Sequence, residues 1–148
     1  MRDNPTWLQS VVEYRQAAER VYDSVPPPAS ETQMAAARKA AGAMGLHLPD
    51  EALPFYRLTN GTDAFDLHFF SLDSDDNGDF LRSQELVRAD GDDRTYYGGG
   101  NDDEQYGYLP ETAKFQVLYG GDLDAEFATF GEMIEFVFRK QLANITVA

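Results

Sequence analysis

The chain of 148 residues is 43% hydrophobic and 13% aromatic, values typical of one folded domain and too high for a disordered acidic tail. Its formal net charge is −14 at pH 7, with an isoelectric point near 4.3, so we expect it to repel nucleic acid and anionic membranes. Because it has no cysteine, disulfide scaffolds and thiolate metal sites are excluded.

The first 45 residues are predicted to form two helices. A proline at the first helical position and apolar residues at helical spacing predict a helix over residues 5–23. The prolines at 26–28 form a stiff connector, because proline cannot continue the helical hydrogen bonding. Ser30 and Gln33 fit a capping box for a second, alanine-rich helix that ends near Ala43, and Gly45 is a plausible stop.

The pattern changes from helix to strand near residue 60. A short third helix is predicted over residues 49–58, and Asn60-Gly61 is predicted to be the tight turn that follows it. Beyond this turn, Phe65, Leu67 and Phe69 alternate with Asp66, His68 and Phe70, which predicts a strand over residues 65–70.

The remaining elements complete an α+β pattern. Strands are predicted at 94–97, 105–109 and 114–119, with a flexible glycine-rich loop at 98–104. Leu86 and Val87 indicate a short strand or a turn of helix.

A second capping box at residues 129–132 opens a last helix, which runs to about Ala143. We therefore expect a mainly antiparallel central sheet with helices from the N-terminal third and the C-terminus packed on it. The domain is expected to be single, over residues 1–148, with N-terminal helices in 1–45 and a core region in 46–143.

Most of the negative charge lies in the middle of the chain. Residues 60–112 contain eleven Asp and three Glu against three Arg. Such a segment attracts basic proteins or metal ions, and the tyrosines within it offer large contact area at low entropic cost. The acids are predicted to steer a partner and two tyrosines to anchor it. These candidate partner-binding residues are Asp75, Asp76, Asp79, Tyr97, Asp102, Asp103, Glu104 and Tyr106.

Few features suggest catalysis, and we expect neither an enzyme nor a cofactor. No phosphate-binding loop or nucleophile elbow is present, and the two histidines, His47 and His68, are interpreted as structural or surface residues. Residues 73–79 reproduce the first half of an EF-hand calcium loop, but the twelfth place falls on Gln84 instead of a bidentate glutamate. We therefore predict no metal with full protein coordination there, while weak cation binding stays open.

No apolar run approaches the roughly 20 residues that a membrane span needs. Residues 1–10 also lack the long apolar core of a signal peptide. Both observations favour a cytoplasmic protein that binds no membrane.

Four segments, in order, resemble the SUKH superfamily of the Smi/Knr type. They comprise a Leu-Pro motif leading through an aromatic helical turn to Asn-Gly, an aromatic strand, a glycine-aromatic strand and a Phe-rich closing helix. The segments are residues 48–61, 69–73, 106–109 and 127–134.

The resemblance implies a non-enzymatic function. Bacterial SUKH proteins are mostly immunity proteins, which bind and neutralise a cognate polymorphic toxin, often a nuclease, in the cytoplasm. The fungal members are regulatory interaction proteins, so a regulatory module without a toxin partner is the alternative. A nuclease is usually basic where it grips phosphate, and an acidic protein could occupy that face.

Overall fold

The computed structural model describes residues 5–65, 67–72, 80–89, 91–100 and 103–147. Within these ranges the chain has the predicted α+β fold, with five α-helices and a six-stranded antiparallel sheet. In chain order the elements are α1 (Leu8–Val21), α2 (Glu31–Ala43), a 3₁₀ helix (Asp50–Ala52), α3 (Leu53–Leu58), β1 (Thr62–Ala64), β2 (Leu67–Phe69), α4 (Phe80–Ala89), β3 (Thr95–Gly99), β4 (Glu104–Leu109), β5 (Lys114–Tyr119), β6 (Asp122–Phe127) and α5 (Phe130–Val147).

The strands follow one another across the sheet in chain order. Each strand pairs antiparallel with the next, so β1 and β6 are the two edges. The β5–β6 turn consists of Gly120 and Gly121, whose φ angles of 58° and 87° suit a tight hairpin turn. The predicted strand over residues 114–119 is confirmed and ends at these glycines, but β6, which follows them, was not predicted.

Helices α1, α3 and α5 pack against the sheet around a dense aromatic core. The ring of Phe138 in α5 lies 5.4 Å from Phe69 in β2, 5.9 Å from Phe55 in α3 and 5.1 Å from Tyr14 in α1. These centroid distances and the tilted or edge-on angles are those of favourable ring contacts. One buried cluster therefore joins the N-terminal helices, the sheet and α5.

Both predicted capping boxes are present. Ser30 and Gln33 exchange backbone-to-side-chain hydrogen bonds of 2.8 and 3.0 Å at the start of α2. At the start of α5, Thr129 and Glu132 make the equivalent pair at 3.2 and 3.1 Å. Glu51 adds a cap from a distant element by accepting from the first two amides of α5, so α5 is held at its N-terminus from two sides.

The predicted turn at Asn60-Gly61 is confirmed. Helix α3 ends at Leu58, and Gly61 has a φ of 87°, where a Cβ would lie 2.5 Å from a carbonyl oxygen of β2. The Asn60 side chain accepts from the backbone N–H of Leu72 at 2.8 Å, and Thr59 donates to the Gly61 carbonyl at 2.7 Å. The segment thus fixes the passage from helix to sheet.

Three local predictions need correction. Helix α1 begins at Leu8, because residues 5–7 form a preceding turn. Phe65 is not in a strand; it has a φ of 53° in the turn between β1 and β2. The region around residues 86–87 belongs to α4, a full helix of ten residues.

The glycine-rich loop predicted at 98–104 is shorter than expected. Gly98 and Gly99 belong to β3, and Glu104 opens β4. A Cβ at Gly98 would lie 2.2 Å from the His68 carbonyl oxygen, so this glycine is required by close strand packing.

Candidate partner-binding surface

The two tyrosines predicted as anchors lie in the core. Tyr97 is 0% and Tyr106 is 1% exposed. The Tyr97 hydroxyl donates to the His47 carbonyl at 2.6 Å, and burial raises its pKa well above the ordinary value. Tyr106 stacks on Phe69 with ring centroids 5.2 Å apart. Neither ring can reach a partner without opening the core, so their observed role is in packing.

Glu104 takes part in an internal network instead of standing free. Its carboxylate accepts from the Tyr106 hydroxyl and pairs with Lys140 of α5 at 2.9 Å. The hydrogen bond to Glu104, with the charges of Glu104 and Asp124, raises the pKa of Lys140. Glu104 therefore joins β4 to α5, and its charge is largely compensated.

The β5–β6 hairpin brings further acids to the same corner. In the paired strands Glu104 lies beside Tyr119, and Tyr119 lies beside Asp122, all on one face of the sheet. The Gly120 amide donates to the Asp103 carbonyl at 3.2 Å, which places Asp103 against the hairpin. We call this surface the acidic corner; it consists of Asp103, Glu104, Tyr119, Asp122, Leu123 and Asp124.

Two large apolar side chains are exposed among these acids. Tyr119 and Leu123 are each 54% exposed, and most residues of β6 are exposed. Leu123 pairs with Leu118, one position from the Tyr119–Asp122 pair, so Tyr119 and Leu123 lie on opposite faces. The corner therefore presents apolar contact area on both sides of a negatively charged edge strand.

Sequence reasoning found only part of this corner. Asp103 and Glu104 were among the predicted residues, whereas Tyr119 and the β6 residues were not. The signal was present in the strict alternation of acidic and apolar residues directly after Gly120-Gly121. The other predicted acids, Asp75, Asp76, Asp79 and Asp102, lie outside the described residues.

Gln84, at the twelfth place of the calcium-loop pattern, has a structural role. It is 0% exposed, and its side-chain amide donates to the Tyr96 carbonyl at 2.5 Å and accepts from the Tyr96 N–H at 2.8 Å. These bonds extend the hydrogen bonding of β3 beyond its pairing with β2. The Gln84 oxygen is thus already engaged, while residues 73–79 lie outside the described residues.

Both histidines contact neighbouring side chains. His47 stacks on Tyr108 with centroids 3.7 Å apart, and burial lowers the pKa of its imidazole. The Nδ1 atom of His68 lies 3.6 Å from a carboxylate oxygen of Asp63 on the next strand. In the described ranges, no group of three or more His, Cys, Asp or Glu residues is arranged to hold a metal ion.

Comparison with protein-family models gives no match, and a search of curated proteins gives no significant relative. The resemblance to the SUKH superfamily stays a prediction from the sequence. Among the described helices, none has the length and apolarity needed to cross a membrane.

Proposed function

We propose that this chain is an immunity protein that binds and neutralises a cognate bacterial toxin domain in the cytoplasm. The acidic corner carries the proposal, because the exposed acids Asp103, Asp122 and Asp124 lie beside two exposed apolar side chains, Tyr119 and Leu123, one on each face of the sheet. Exposed apolar side chains next to charged residues are typical of a protein-binding surface. The ordered resemblance to SUKH immunity proteins supports the same function.

The charge of the chain defines the chemistry of the partner. A net charge of −14 accelerates encounter with a basic domain and disfavours nucleic acid. A nuclease toxin usually presents a basic face to its substrate phosphates, so an acidic protein on that face would block the substrate. This function requires no catalytic group of the immunity protein itself.

Double charge reversal at the corner tests the proposal. Asp122→Lys/Asp124→Lys should slow association with the cognate toxin domain and flatten its dependence on salt, because exposed charges act mainly on encounter. Truncation of an apolar contact, Tyr119→Ala, should instead speed dissociation. Surface plasmon resonance at several salt concentrations separates the two effects, and survival of toxin-expressing cells reports protection.

A matched control is available at the other end of the strands. Glu85→Lys/Asp93→Lys makes the same change in net charge at two exposed positions outside the corner, one in α4 and one just before β3. If the control variant and the corner variant both lower the association rate constant by the same factor, the rate depends only on net charge and the corner is not the interface. Wild-type binding and protection by the corner variant, with a cooperative melt, would remove the main physical support for the proposal.

The alternative is a regulatory interaction module of the same fold without a toxin partner. Co-purification with candidate toxin domains distinguishes the two, as does gene order, since an immunity gene directly follows its toxin gene. Failure to bind any toxin encoded beside it would favour the regulatory module.

A further inference from the structure

A second surface feature lies on the sheet between its β1 edge and the middle. It is a cavity of about 550 Å³, within the roughly 300–1,000 Å³ typical of ligand pockets. The glycines at 98–100 contribute bare backbone to its lining. The volume of the cavity is therefore large enough for one side chain together with part of the peptide that carries it.

Four of the aromatic rings that line this cavity form two pairs. Tyr22 and Phe65 form one edge-to-face pair with centroids 5.3 Å apart, and His68 and Phe70 form another at 5.5 Å. Such rings offer electron-rich faces, which attract cations.

The charge in the cavity is negative. Asp63 is the only Asp, Glu, Lys or Arg among the described lining residues, and its side chain is 80% exposed. The undescribed residues between 65 and 103 also include no Lys or Arg. An anionic ligand would therefore find neither Lys nor Arg among these residues, whereas a cation would meet both a carboxylate and aromatic faces.

The turn that carries Phe65 is held in a strained conformation by distant elements. Phe65 has a φ of 53°, which is rare for a bulky residue. Its N–H donates to the Tyr22 hydroxyl at 3.1 Å, and Gln141 of α5 donates to its carbonyl. These contacts fix the ring at the cavity in the free protein, so little ordering would be needed on binding.

We propose that this cavity binds the guanidinium group of an arginine presented by a basic protein partner. The inference rests on the proposed function for the nature of that partner and adds the chemical group that it inserts. Arginine is favoured over lysine because a planar guanidinium stacks on aromatic rings while it pairs with a carboxylate. The glycine backbone would then lie along the flanking peptide.

A short peptide tests the site without the toxin. The peptide acetyl-Gly-Arg-Gly-amide, titrated at low salt, should shift the backbone NMR signals of residues 98–100 and Phe70 in a saturable manner. The citrulline peptide, which is planar but uncharged, should bind at least about tenfold more weakly. Shifts that do not saturate, or equal affinity for both peptides, would overturn the proposal.

Two conservative variants locate the effect. Asp63→Asn should weaken arginine-peptide binding about tenfold, whereas Glu111→Gln, at an exposed acid in the turn between β4 and β5, should leave the affinity unchanged. An equal loss in both would mean that binding follows overall charge and not this cavity. Phe70→Leu should also weaken binding of the arginine peptide. If the melting temperature of Phe70→Leu differs from that of the parent, only the result for Asp63→Asn is used to judge the proposal.

The toxin domain separates this inference from the proposed function. If the toxin binds the parent chain and Asp63→Asn equally well, the cavity is not used, although the immunity function stands. If no toxin binds but the arginine peptide does so with the expected variant pattern, the cavity inference stands and the immunity function fails.

Discussion

Replacement of Gln84 should expose how α4 holds the sheet. In the parent chain its side-chain amide satisfies both the N–H and the C=O of Tyr96, all within buried surroundings. Leucine has a similar size but no hydrogen-bonding group. Gln84→Leu therefore leaves two buried backbone groups without these partners.

The magnitude follows from the cost of such groups. Each buried backbone group without a partner costs about 1–3 kcal/mol, so we expect a loss of about 3 kcal/mol after the gain from an apolar side chain. For a chain of this size about 3 kcal/mol corresponds to a fall in Tm of about 10 °C. Gln16→Leu, at an exposed position of α1, should change stability by less than about 0.5 kcal/mol.

A glutamate at the same position adds a pH dependence. In Gln84→Glu a carboxylate oxygen would face the carbonyls of Phe80 and Tyr96, to which the amide now donates. Burial favours the neutral carboxyl and so raises its folded pKa above the unfolded value of about 4.3. The loss of stability should thus be smallest below about pH 4 and grow as the pH rises to 7.

Urea unfolding followed by circular dichroism at pH 4 and pH 7 measures both effects. The reasoning fails if Gln84→Leu unfolds at the same urea concentration as the parent. That result would mean that the Tyr96 backbone finds other partners and that α4 does not support β3.

Three further predictions concern stability. Gly98→Ala should be strongly destabilising in thermal melts, because its Cβ would lie 2.2 Å from a β2 carbonyl oxygen, whereas Gly42→Ala in α2, with open space, should stabilise by about 0.5–1 kcal/mol. Glu51→Gln should lower stability by about 1 kcal/mol, since it removes a negative charge from the N-terminus of α5; an unchanged urea midpoint would contradict this. Burial and the hydrogen bond to Asp92 raise the pKa of Tyr96 to about 12, so stability should fall as the pH rises from 10 to 12, and Tyr96→Phe should lose less across that interval.

Local signals in the sequence were sufficient for much of the fold. The capping box at Ser30, the turn at Asn60-Gly61 and the stripe on α5 each depend on residues a few positions apart. Helix α4 was predicted only as a short strand or a turn of helix at residues 86–87, although its helix-forming residues begin directly after the calcium-like segment. Strand β6 was missed although its alternation is regular, because acidic residues are uncommon in strands.

The surfaces depend on contacts between distant segments. Tyr97 and Tyr106 each carry a polar hydroxyl on a large apolar ring. The sequence around them does not show whether such a ring is buried in the core or exposed to a partner. The cavity beside Phe65 requires α1, the β1–β2 turn and β3 to meet, and these lie up to about 80 residues apart. Charge density indicated an acidic surface, but the pairing of β5 with β6 decides which acids share a corner.

The position of α5 has a consequence for synthesis of the protein. The strands pair with their neighbours in the chain, so hairpins can form as the polypeptide leaves the ribosome. Phe69, Tyr106 and Val117, however, are covered by the helical layer to which Phe138 belongs. Until the residues of α5 emerge, the nascent sheet exposes an apolar face that chaperones can bind. Ribosome-bound chains stopped before Phe130 should accordingly be protease-sensitive, and cooperative folding should begin only after α5 has left the tunnel.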